Sequence, residues 1–130
     1  MVVILICMNT FYKQAVKFAE KPVTNAEIEI ADVIQRFYRA LKERNTDAII
    51  ELFSKDATIY SVAEREAVSL EKFRIMLEEN LKHIIQVYFD EVLIRVETNI
   101  SATASFTAFY RYSARIIGPL RQILTLEKNQ

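Results

Sequence analysis

The sequence predicts an α+β domain in which a curved antiparallel sheet wraps around N-terminal helices to make a cone. Three observations carry this. Apolar side chains recur at helical period behind a capping signal, at Ile30, Val33, Ile34, Phe37, Ala40 and Leu41. From Ile100 to Ile116 every even position is apolar, with Ala102, Ala104, Phe106, Ala108, Tyr110, Tyr112 and Ala114 on one side, and nearly every odd one is polar, Phe109 being the exception. The helical patterns come first and the strand patterns last, which places the helices on one face of a meander.

The elements follow in order. Residues 10–21 have weak helical spacing through Phe11, Ala15 and Phe18, and Pro22 stops them. Residues 1–22 therefore read as an N-terminal extension that docks on the domain, over 23–130, or on a partner subunit. Thr24 and Glu27 have capping-box spacing, and a helix runs from them to about Arg44 with one buried stripe. Asn45 and Thr46 break it, Asp47 opens a short helix through Phe53, and Ala57 to Val62 reads as a strand. Ser69 caps the next helix, whose apolar stripe continues to Ile84 and Ile85. Val87 to Glu97 is a strand with Val92, Ile94 and Val96 on one face. The ribbon from Ile100 to Ile116 is longer than a typical strand of about five or six residues, so it must bend or bulge. Gly118-Pro119 is the turn expected to lead into Leu120 to Lys128.

Composition narrows the function. The chain has 130 residues, one domain by length. It is 52% hydrophobic, with 17 basic and 17 acidic residues, so no electrostatic footprint for nucleic acid follows. One glycine excludes phosphate-cradling glycine loops. The apolar run Met1 to Met8 is too short for a membrane span of about 20 residues, and it lacks the basic start and small-residue cleavage site of a secretory signal. It reads as a strand or packed extension, with Met8 an alternative start. Cys7 is alone, so no internal disulfide forms; a cytoplasmic, reducing setting is expected, with Cys7 as a buried small hydrophobe. A single histidine gives no metal site, and no cofactor is expected.

Residues 28–128 resemble the nuclear transport factor two (NTF2) superfamily, which includes SnoaL-like polyketide cyclases and ketosteroid isomerases and has a cone-shaped, cystatin-like fold. The resemblance lies in an aromatic residue followed by Ala-Leu, a break, and repeats ending Leu-Phe-x-x-Asp-Ala: here Phe37, Tyr38, Ala40, Leu41, Asp47, Leu52, Phe53, Asp56 and Ala57. It implies a pocket for a small hydrophobic molecule. It also implies a homodimer formed through the outer face of the sheet, here the Ser/Thr/Arg face of residues 101–115. Two positions depart from the isomerases. Their catalytic tyrosine falls at Phe37, and Tyr38 next door is rotated away by one helical step. Their general-base aspartate falls at Ser61, whose hydroxyl cannot act as a carboxylate base. The chain also has no Trp and no further strand after Leu126, where the family continues, which leaves a sheet edge unpaired. The surplus apolar run Val2 to Cys7 is a candidate for that strand, in its own subunit or a neighbour, and truncation is the competing reading.

Candidate site residues carry bland alternatives. Histidine as a residue type suits acid–base work, which makes His83 a candidate, but a histidine at a helix C-terminus is also favoured by the helix dipole. Phe37, Leu41, Tyr60, Tyr88, Phe106, Tyr110 and Tyr112 are expected to line the pocket, where aromatic walls with a few hydroxyls suit a flat apolar ligand; equally, they are core aromatics. Among the carboxylates Asp56, Glu64, Glu66, Asp90 and Glu91, a general base would need burial to raise its pKa. Asp90, in register with Tyr88 and Val92, is expected to point inward and is the weak catalytic candidate with His83 and Tyr60. Two functions stay open. One is isomerase, cyclase or hydrolase chemistry on a small hydrophobic molecule. The other is a non-catalytic module that binds a ligand, a second copy or a protein partner. A carboxylate or histidine buried in the cone, within reach of a tyrosine, would favour the first.

Overall fold

The computed structural model describes residues 15–55, 57–61, 65–113 and 115–127. Cys7, Asp56 and Glu64, and the expected strand Val2 to Cys7, lie outside them. The elements run β1 (Val16–Phe18), α1 (Asn25–Lys42), α2 (Thr46–Glu51), β2 (Ile59–Ser61), β3 (Glu66–Val68), α3 (Leu70–Leu81), β4 (Ile84–Val96), β5 (Ser101–Tyr112) and β6 (Ile116–Glu127). Among the described residues the strands form a four-stranded sheet of order β1-β4-β5-β6 and a separate two-stranded sheet, β2-β3. This is the expected α+β arrangement, an antiparallel meander with helices on its inner face.

The helix boundaries are set by side chains that satisfy free backbone groups. Thr24 Oγ1 accepts from the Glu27 N–H at 3.1 Å, while Glu27 Oε1 accepts from the Thr24 N–H at 2.9 Å. Helix α1 then buries Ile34, Phe37, Ala40 and Leu41. Past its end Arg44 takes a left-handed φ of 58°, and its guanidinium donates to the Ile84 carbonyl at 2.7 Å. That bond ties the end of α1 to the start of β4. Asn45 caps α2 by accepting from the Ala48 N–H at 3.1 Å, and Ser69 caps α3 by accepting from the Lys72 N–H at 3.1 Å. Arg74 on α3 meets Asp47 on α2 at 2.6 Å, which joins the two shorter helices.

Beyond the unforeseen strand β3, the strands depart from the sequence reading in four places. Val16 to Phe18 is a strand, not helix: it pairs parallel to β4, with the Phe89 N–H donating to the Ala15 carbonyl at 2.9 Å. The free edge of β4 offers backbone partners, and Val16 and Phe18 pack on the core with Lys17 outward, so period two wins over weak helical spacing. Helix α3 stops at Leu81, and Ile84 and Ile85 belong to β4. The long ribbon turns after Tyr112, where the Tyr112 N–H donates to the Arg115 carbonyl at 2.8 Å.

Gly118-Pro119 accordingly lies inside β6 and not at the turn. Gly118 has φ of 138°, and a Cβ there would sit 2.8 Å from the Ala108 carbonyl oxygen. Only glycine fits that approach, at the irregularity between Ala108 and Tyr110 on β5.

The fourth departure reorients β4. Phe89 pairs with Ala108 and Asp90 with Thr107, but Leu93 pairs with Ser105. An extra residue is accommodated at Glu91, which has φ of 52°. Side chains that point inward therefore switch from odd positions (Val87, Phe89) to even ones (Val92, Ile94). Asp90 consequently shares the outer face with Tyr88 and Thr107, not the inner face with Val92.

Candidate functional site

Aromatic rings pack together in the interior of the cone. Phe89 of β4 and Phe106 of β5 stack obliquely with centroids 4.4 Å apart, and Phe37 of α1 lies 5.8 Å from Phe89. Tyr38 meets Phe89 edge-on at 5.5 Å, and Phe53 bridges Phe37 and Phe73 at 6.3 and 5.4 Å. The alanines of β5 make this possible. Ala102, Ala104 and Ala108 are buried on the inner face, and their small side chains let larger neighbours close over the sheet.

Among the described residues no polar or charged residue is fully buried. A half-buried polar contact joins Tyr110 and Gln122, where the Gln122 amide donates to the phenol oxygen at 3.0 Å. Burial pushes the Tyr110 phenol up, the Gln122 bond opposes this, and Tyr112 adds to the rise. Tyr38 is also pushed up, first by burial and then by Tyr88. A cleft of about 320 Å³ lies between α1 and the start of β4, lined by Tyr38, Lys42, Ile85, Gln86 and Tyr88 among others. A depression of about 410 Å³ on the α1–α2 surface is lined by Arg36, Arg39, Glu43 and Glu51. Neither is lined by Phe106, Tyr110 or Tyr112.

No family model and no curated protein matches the sequence. Solved structures do match. One is an NTF2-like protein of unknown function from Shewanella oneidensis, with a TM-score of 0.58 at 11% identity over 74% of this chain and 80% of that one. The chain has the NTF2-like fold. A protein named as a SnoaL-like polyketide cyclase from Shewanella denitrificans matches with a TM-score of 0.52 at 12% identity, covering 75% of this chain and 77% of that one. Another, named as a calcium/calmodulin dependent protein kinase II association domain from Xanthomonas campestris, matches with a TM-score of 0.62 at 16% identity, covering 82% and 76%. These identities establish the NTF2-like architecture and nothing about activity.

Within this NTF2-like cone the candidate residues scatter. Phe37, Leu41 and Phe106 are buried in its packed interior. Tyr110 and Tyr112 are half-buried on the inner face of β5, Tyr112 with the Arg115 guanidinium 6.0 Å from its ring centroid. Tyr88 lines the cleft beside α1 and pairs across the sheet with Phe109. Tyr60 is 67% exposed on the β2–β3 hairpin, outside the interior. His83 follows α3 with its side chain 65% exposed, 3.8 Å from Glu79. Asp90 points outward and accepts the Glu91 N–H at 2.9 Å. Glu66 and Glu91 are exposed. His83, Asp90 and Tyr60 thus form no common site. Among the described residues no three of His, Cys, Asp and Glu converge on a metal position, and no helix is long and apolar enough to cross a membrane.

Sequence reasoning missed Gln122 and Lys42. Gln122 had a readable signal, because it interrupts the apolar series Leu120, Leu124 and Leu126 on the inward side of β6. Lys42 had none, because its place in the cleft depends on where β4 begins.

Proposed function

We propose that this NTF2-like domain is a non-catalytic association module, in which a filled cone supports a sheet that binds a second copy of the chain. The observation that carries this is the contact of Phe89 with Phe106, both wholly buried, in the interior of the cone. The absence of the isomerase tyrosine at position 37 supports it. So does the outward position of Asp90, opposite Thr107, which keeps that carboxylate out of the interior where a buried base would lie. The sheet, with short Ser and Thr side chains on its outer face and β6 at its end, can associate with a second copy.

Sedimentation velocity over a range of protein concentrations tests the proposal, paired with titration of flat apolar ligands read by tyrosine fluorescence. A dimer with no saturable ligand is the expected result. A monomer at every concentration, or a stoichiometric ligand that protects Tyr110 from ionisation, would overturn it. The second result would favour the pocket reading, which rests on the half-buried Tyr110–Gln122 pair.

A further inference from the structure

We infer that two copies join through the outer edge of β6. The β6 strands would run antiparallel about a twofold axis at Leu124, so that the four-stranded sheets become continuous. This rests on the reading that the partner is a second copy and adds where the two copies meet. Among the described residues β6 pairs with β5 on one side only. Its other edge, beyond Pro119, offers backbone donors and acceptors from Leu120 to Glu127 with no partner strand among the described residues, a ready template for strand addition. The strand also carries exposed apolar side chains, Ile116 at 68%, Leu120 at 37% and Ile123 at 65%.

The side-chain pattern selects one register. Arg121, Ile123, Thr125 and Glu127 lie on the outer face, opposite Thr107, Ser105, Thr103 and Ser101 of β5. Leu120, Gln122, Leu124 and Leu126 lie on the inner face. A twofold axis perpendicular to the sheet keeps outer face with outer face, so residues of like parity must oppose each other. With Leu124 on the axis, Arg121 and Glu127 stand at equal distances on either side of it. Each arginine then faces the glutamate of the second copy, twice in the interface. Ile123 meets Thr125, and Leu124 meets its own copy. Moving the axis to Gln122, Ile123 or Thr125 leaves both charges without each other. Arg121 is already held on the outer face by donating to Ser105 Oγ at 3.0 Å, and its other N–H groups remain for a carboxylate. Pro119, which has no N–H to give, lies outside the paired stretch.

Charge reversal with rescue tests this. Arg121→Glu or Glu127→Arg alone places like charges opposite each other twice and should weaken dimerisation roughly tenfold or more. The double variant R121E/E127R should restore it, and mixing the two single variants should give the heterodimer. Circular dichroism checks that each variant folds. A monomeric wild type would overturn the association reading itself. A wild-type dimer indifferent to charge reversal but broken by Leu93→Arg would overturn only the β6 interface and place the contact on the sheet face. Backbone amides of β6 protected from hydrogen exchange equally at all protein concentrations would also overturn it, by showing the edge covered within one copy.

Discussion

Phe89 and Phe106 meet ring to ring at 4.4 Å, tilted by 34°, one from each of two neighbouring strands. Both are almost wholly buried, at 1% and 0% exposure. They do not face each other directly in the ladder, since Phe89 pairs with Ala108. The contact is a diagonal one, and the small Ala108 leaves room for it. The pair belongs to the buried core beneath the sheet.

Phe106→Ala should therefore cost about 3–5 kcal/mol of stability, because a buried ring is removed from a site its neighbours cannot refill. Urea denaturation measures it. If the variant stays folded, it should gain affinity for small aromatic molecules, read by the shift in its melting temperature with added ligand. A cost well under 1 kcal/mol would mean that the interior is loosely packed.

Gly118→Ala should destabilise the domain by about 1–3 kcal/mol, the usual cost of a residue forced into a disfavoured backbone region. The added Cβ would press on the Ala108 carbonyl. Loss of hydrogen-exchange protection should concentrate in β5 and β6. Chemical denaturation showing no loss would place Gly118 in an ordinary conformation.

The Tyr110 phenol is pushed up by burial, so the folded state holds its proton more tightly than the unfolded chain does. Its contribution to stability is complete below the unfolded tyrosine pKa of about 10 and is lost as pH rises through the folded value. Tyr38 acts in the same direction. Spectrophotometric titration should show these two ionising above the ordinary tyrosine value of about 10. Gln122→Leu removes the bond that opposes the rise and should move Tyr110 higher still. A downward shift in that variant would contradict the geometry.

Thr24→Ala should cost about 1 kcal/mol, because the cap on the first free N–H groups of α1 is lost. The Glu27 carboxyl is held low first by the backbone N–H of Thr24, then by the Thr24 side chain, and then by the Val23 N–H. A depressed carboxyl contributes stability above its unfolded pKa and loses it as pH falls. The acid limb of the stability profile should therefore be shallower in the variant, and an unchanged limb would mean that the backbone bonds alone hold Glu27.

The local periods in the sequence determined the α+β class, the cap at Thr24, the buried stripe of Ile34, Phe37 and Leu41, and the inward alanines of β5. Each depends on neighbours a few residues away, so spacing alone reveals it. Only the tertiary structure decided the rest. Glu91 is the extra residue that reverses β4 because β5 beside it sets the register, and that reversal turns Asp90 outward. Gly118 sits within β6 because the backbone of Ala108 crowds it from the next strand. Val16 to Phe18 became a strand because β4 had a free edge. These outcomes arise from pairings between segments far apart in the chain, which a local pattern permits but cannot specify.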